Sequence, residues 1–122
     1  MTTTTQMSPL PSRGDVVLVL YPNSDLRTAK RRPALVIQAN DLNTGLTQII
    51  VAMISSRLFR ANHQSRVLIT VDSTEGASSG LLSDSVVMTD NLATVALLAI
   101  DRKIGALPMS AIEDALRLTL GL

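Results

Sequence analysis

The stretch Arg31–Ser56, RRPALVIQANDLNTGLTQIIVAMISS, decides how this chain is read. Its two apolar runs, Ala34–Ile37 and Ile49–Ile54, flank a polar segment carrying Asn40, Asp41, Asn43, Thr44 and Gly45. Apolar, β-branched runs of this length, bounded by Asn, Asp and Gly, predict two core strands joined by a turn. Arg31 and Arg32 stand just before the first strand, and Ser55 and Ser56 close the second. Antiparallel pairing of the two would bring Arg32 and Ser55 to the same end of the hairpin. A guanidinium and a hydroxyl held together at a strand end make a candidate anion site.

Upstream, Arg13-Gly14-Asp15 leads into VVLVLY (16–21), an apolar run of strand length without helical period. Pro22-Asn23-Ser24-Asp25 breaks it, and the polar, basic loop from Pro22 to Arg31 is expected to be exposed and mobile. Pro33 fits the first residue of the next strand, where no ladder N–H is lost, and it biases Arg32 to an extended backbone. Downstream, RLFRANHQSR (57–66) reads as a basic loop and VLITV (67–71) as a fourth strand. Asp72–Gly80 is expected to be a long polar turn, and Asp84–Asp90 a fifth strand ending at Asp90 and Asn91. From Thr94, VALLAI reads either as a short helix or as a strand, and Lys103–Leu107 as a short last strand. Ser110-Ala111-Ile112-Glu113 has capping-box spacing, and Ile112, Leu116 and Thr119–Leu120 give the following helix one apolar face before Gly121 stops it.

Five or six short strands and one terminal helix predict a mainly β (α+β) fold, a small, partly open barrel of SH3-like type. Residues 1–12 read as a flexible tail and 13–122 as a single domain, with no internal repeat. Of the 122 residues, 46% are hydrophobic but only 2% aromatic, so the core must be built from Val, Ile, Leu, Met and Ala. A mean hydropathy of +0.30 is apolar for so small a domain, and part of that surface is expected in an oligomer interface. No run reaches the roughly 18 apolar residues of a membrane span. The start, MTTTTQMSPLPS, lacks the basic and apolar regions of a secretory signal, so a cytoplasmic protein is expected. Without cysteine there are no disulfides, zinc–thiolate sites or thiol nucleophiles.

The net charge of +1 hides an asymmetry. Residues 1–71 carry eight basic and three acidic side chains (net +5), and residues 72–122 carry three and seven (net −4). Seven of the basic groups fall in 27–32 and 57–66, beyond the ends of the central hairpin. Such clustering suits a phosphate-bearing partner, or alternatively a solvated loop face.

At RGDVVLVLYP, KRRPALVIQ, IIVAMISS, GLLSDSVV, DNLAT and KIGAL, taken in order from Arg13 to Leu122, the chain resembles the MazF/PemK toxin family of bacterial toxin–antitoxin systems. The resemblance implies an SH3-like barrel, a homodimer, and an endoribonuclease that cuts single-stranded mRNA at short sequences without metal or cofactor. It also implies a small antitoxin partner with a disordered segment lying across the RNA groove. Carried over by motif, the family's catalytic Arg falls on Arg32 and its strand-closing hydroxyl on Ser55, where Thr is commoner. The acidic residue after S-V-V falls on Asp90, followed by Asn91 where Gln is frequent. Two departures stand out: Ser24-Asp25-Leu26-Arg27 replaces a G-x-E-Q stretch, and Ala93 stands where I-R-T has Arg.

In that reading Arg32 stabilises the charge that builds on the phosphoryl oxygens, since a guanidinium stays protonated and makes a poor base. Ser55 hydrogen-bonds a phosphoryl oxygen or holds Arg32, the alternative being a turn hydroxyl that caps backbone groups. Arg27, Lys30, Arg31, Ser56, Arg57, Arg60, Asp90 and Asn91 make up the expected RNA-binding set. Asp90 has a structural ion pair as its alternative, and His63 reads as a substrate contact or a solvated residue. Two other functions compete. One is an inactive barrel that binds antitoxin or nucleic acid. The other is a gyrase poison of CcdB type, although the chain ends Leu120-Gly121-Leu122 and lacks the C-terminal Trp-Gly-Ile of that group.

Overall fold

Period-two alternation along the central strands puts neighbouring side chains on opposite faces of one sheet, and both faces are buried. The computed structural model describes residues 10–122. Its elements are β1 (Asp15–Pro22), β2 (Ala29–Val36), β3 (Gln48–Ser55), β4 (Arg66–Ile69), α1 (Thr74–Ser79), β5 (Ser85–Ala96), β6 (Ile100–Ala106) and α2 (Glu113–Leu120). The strands form one antiparallel sheet in the order β4-β5-β3-β2-β1-β6. β4 and β6 remain its two edges, so the expected partly open, mainly β architecture with a C-terminal helix is what forms. The expected tail falls mostly on residues 1–9, outside the described residues.

Val16, Leu35, Ile37, Ala52, Ile54 and Val87 build one core, closed by Ile112 and Leu116 at the start of α2. Val17, Val19, Ala34, Val36, Val51, Met53, Val86 and Met88 build the second, on the other face. Deleting most of a side chain as buried as Leu35 typically costs about 2–5 kcal/mol. The β2–β3 connection uses the residue types its conformation needs: Asp41, Asn43 and Gly45 all have positive φ, which Asn, Asp and Gly tolerate best.

Several local expectations are corrected. Pro33 sits fifth in β2, not first, paired with Leu18 of β1. Pairing of β2 with β3 begins only at Ala34, so the β3 side of Pro33 has no ladder to lose. The loop 22–28 is exposed but closed on itself by Asn23 N–H to Thr28 O, and the strand resumes at Ala29. The expected polar turn at 72–80 contains α1, capped by Ser73, whose Oγ accepts the Gly76 N–H. β5 runs through Thr94 to Ala96, and only Leu97–Ala99 makes a single 3₁₀ turn. The capping box at Ser110 does not form. Ser110 lies in a 3₁₀ turn after Pro108, and α2 starts at Glu113 without a side-chain cap.

Candidate functional site

The β1–β2 ribbon outruns β3, and a cleft opens where β3 is missing. β1 pairs with β2 from Val16–Leu35 out to Pro22–Ala29, whereas β3 pairs with β2 only at Ala34–Met53, Leu35–Ala52 and Val36–Val51. The inner half of β2 is therefore buried and its outer half, Ala29–Arg32, exposed. Continuing the β2–β3 register two steps past its last pair sets Arg32 against Ser55. Both side chains line an open cleft of about 1000 Å³.

Its floor includes Met53, Ile54 and Met88, and its walls come from β1, β2, the segment after β3, residues 80–85 and β6. Six cations line it: Lys30, Arg31, Arg32, Arg57, Arg60 and Arg102. No Asp or Glu is among the lining residues. Arg31 shares its Nε with Asp101 Oδ2 at 3.1 Å, while the other five join none of the ion pairs found among the described residues. Arg60 also lies over the Phe59 ring, 5.8 Å from its centroid. A concave surface with several unpaired cations and no carboxylate attracts polyanions and holds phosphates through charge-assisted hydrogen bonds.

Ser55 is half-buried, and its Oγ accepts the Arg57 N–H at 3.1 Å. A serine hydroxyl has one proton and two lone pairs, so this capping contact leaves its O–H able to donate into the cleft. Arg32 is exposed on a strand, its backbone held by pairing with Val19 of β1.

Of the residues expected from sequence, Arg32, Ser55, Lys30, Arg31, Ser56, Arg57, Arg60 and Asn91 come together around this cleft. Arg27 does not: it sits on the exposed 22–28 turn, which Asp25 organises by accepting the N–H groups of Arg27 and Thr28. Those backbone hydrogen bonds hold the Asp25 carboxyl below its ordinary value. Asp90 also stays outside the lining. Its two oxygens take a fork from Arg66, Nε to Oδ1 at 2.8 Å and Nη2 to Oδ2 at 2.7 Å. That hydrogen-bonded guanidinium is the main reason the Asp90 carboxyl lies below its ordinary range. His63 is exposed, with Nδ1 turned to Ser65 (2.7 Å to Oγ, 3.1 Å from N) and not into the cleft lining.

Arg102 and Tyr21 line the cleft without having been singled out from the sequence. Leu18 of β1 is opposed by Pro33 on one side and Arg102 on the other, so β6 brings Arg102 alongside the cationic end of β2. Arg102 sits in the half of the chain with net negative charge, and only the pairing of β1 with β6 brings it to the cleft.

A family model described as PemK-like, MazF-like toxin of type II toxin–antitoxin systems matches residues 12–120. The fold is similar to that of the Mycobacterium tuberculosis toxin MazF-mt6, with 25% identity, 87% of this chain and 97% of that one covered, and a TM-score of 0.64. It is similar to an endoribonuclease in complex with its cognate antitoxin from a mycobacterial species, at 20% identity over 92% and 96% of the two chains, TM-score 0.69. A MazE–MazF crystal structure from Deinococcus radiodurans matches at 18% identity over 94% and 99%, TM-score 0.70.

Proposed function

Since the chain belongs to the PemK-like, MazF-like toxin family of type II toxin–antitoxin systems, we propose that its cleft is a ribonuclease site. The activity we assign is sequence-selective cutting of single-stranded mRNA, which would inhibit translation and growth. The observation that carries this reading is the cleft itself: Arg32 and Ser55 share it with five further cations, and no carboxylate lines it.

The chemistry follows from those groups. RNA carries its own nucleophile. The 2′-oxygen attacks the adjacent phosphorus as it loses its proton, the P–O5′ bond breaks, and O5′ takes up a proton. The products are a 2′,3′-cyclic phosphate and a free 5′-OH, with no water consumed. What a protein must add is alignment of the sugar–phosphate and neutralisation of the charge on the phosphoryl oxygens. Arg32 supplies a fixed fork of donors for that charge, and Ser55 a second donor beside it. Lys30, Arg57, Arg60 and Arg102 track the flanking phosphates, so binding weakens as salt rises. Positive charge at the scissile phosphate comes from the protein, which supports a route needing no metal.

Two associations complete the reading. An antitoxin would present an acidic, extended segment to the same cleft, in competition with RNA. Leucines left exposed at Leu118, Leu120 and Leu122 support a homodimer. Incubation of the purified protein with a long single-stranded RNA in EDTA tests the activity. Discrete fragments with 5′-OH ends support it. Retention of intact RNA would instead mark a binding barrel, and inhibition of supercoiling a gyrase poison.

A further inference from the structure

Arg66 lines no part of the cleft, yet its guanidinium reaches one residue that does, Arg60, and the neighbour of another, Asn91. Nε and Nη2 grip both oxygens of Asp90, and Nη1 donates to the Arg60 carbonyl at 3.0 Å. Asp90 adjoins Asn91, and both Arg60 and Asn91 face the cleft. One side chain thus joins the backbone of a cleft residue, Arg60, to the residue next to another, Asn91, on a different element.

The place it ties lacks strand pairing. The β3–β5 register jumps between Ala52–Leu92 and Met53–Met88, which leaves Thr89, Asp90 and Asn91 without partners on β3. β4 also stops pairing with β5 at Met88. Thr89 is pinned separately: it is fully buried, its N–H donates to Ser65 O, and its hydroxyl lies 2.7 Å from both Ser65 O and Thr119 Oγ1. Beyond Thr89, the side-chain anchor of the bulge is the Asp90–Arg66 fork.

We infer that Arg66 is a positioning residue for the cleft, setting where Arg60 and Asn91 meet an RNA strand. The inference rests on the ribonuclease reading. An ion pair this accessible adds little to global stability; its value is orientation, because a planar fork meeting a carboxylate on two bonds fixes both partners. A lysine ammonium keeps the charge but not the fork, so it cannot hold the Asp90 oxygens and the Arg60 carbonyl in the same geometry. The depressed Asp90 carboxyl keeps the clamp charged through the neutral range.

The experiment compares wild type with Arg66→Ala, Arg66→Lys and Asp90→Asn. It measures steady-state cleavage of an RNA spanning one mapped cut site, affinity for its 2′-O-methyl analogue, and thermal unfolding. All three variants are expected to unfold cooperatively near the wild-type midpoint, with KM and analogue Kd raised about tenfold and kcat nearly unchanged. Arg66→Lys should fare no better than Arg66→Ala. In an Arg60→Ala, Asn91→Ala background, Arg66→Ala should cost no further affinity, which a merely structural loss would not show. Wild-type KM in Arg66→Ala, or a full tenfold loss persisting in that background, overturns the inference while the ribonuclease reading stands. A wild-type protein that neither binds nor cuts RNA removes both.

Discussion

Binding of single-stranded RNA should follow a salt slope that can be worked from the cleft. Five of its six cations, Lys30, Arg32, Arg57, Arg60 and Arg102, join no ion pair among the described residues, whereas Arg31 is held by Asp101. Each phosphate neutralised on a single strand releases about 0.7 of a counterion, so five contacts give log K against log[salt] a slope of about −3.5. Between about 50 and 200 mM salt, affinity should drop roughly 10²-fold. Arg102→Ala removes one contact and should flatten the slope to about −2.8. Asp101→Asn should act oppositely: freeing Arg31 steepens it to about −4.2 and strengthens binding at low salt. Fluorescence anisotropy with a labelled 2′-O-methyl oligonucleotide reads all three slopes without cleavage. A wild-type slope shallower than about −1, or an Arg102→Ala slope equal to wild type, would refute the assignment of these cations to phosphates.

Three other perturbations probe the frame that holds the cleft. Thr89→Val strips the buried hydroxyl that meets Ser65 and Thr119; a loss of about 1–2 kcal/mol should lower the melting midpoint by roughly 3–6 °C in calorimetry. A Cβ added at Gly105 would run into the Ser78 and Ser79 carbonyls of α1, so Gly105→Ala should cost about 3 kcal/mol in urea unfolding. Asp90 faces Arg66 and His63, and its folded pKa lies below the ordinary 3.8. It therefore stabilises the fold above that ordinary value, and the benefit fades as pH falls through the lower folded one. The stability gap between wild type and Asp90→Asn should be small, fully present near neutrality and lost in acid once Asp90 is protonated in the folded state, measured by urea unfolding across pH.

The central hairpin was legible because its information is local. Continuous apolar runs marked β2 and β3 as core strands, and the Asn/Asp/Gly segment marked the turn between them, so the sequence alone sets Arg32 and Ser55 at one end of the hairpin. What escaped depends on distant packing. TEGASS at 74–79 has no apolar period, and α1 forms where Gly76 and Gly105 let backbones approach more closely than any Cβ would allow. Ser110 and Glu113 have the spacing of a capping box, but Pro108 opens a 3₁₀ turn there and α2 starts later. Arg102 is invisible from its neighbours in sequence, because it reaches the cleft only through the pairing of the last strand with the first. Asp90 looked like a site residue because it follows the S-V-V motif; its partner Arg66 lies 24 positions away and turned it into a clamp.

The most direct measurement is the single-turnover rate of RNA cleavage in EDTA by Arg32→Ala and Ser55→Ala, read beside each variant's affinity for the 2′-O-methyl analogue. Each substitution should slow cleavage about 10²–10³-fold, with Arg32→Ala the more severe, while analogue binding changes far less. Cleavage by Arg32→Ala at the wild-type rate would contradict the assignment of that guanidinium to the scissile phosphate.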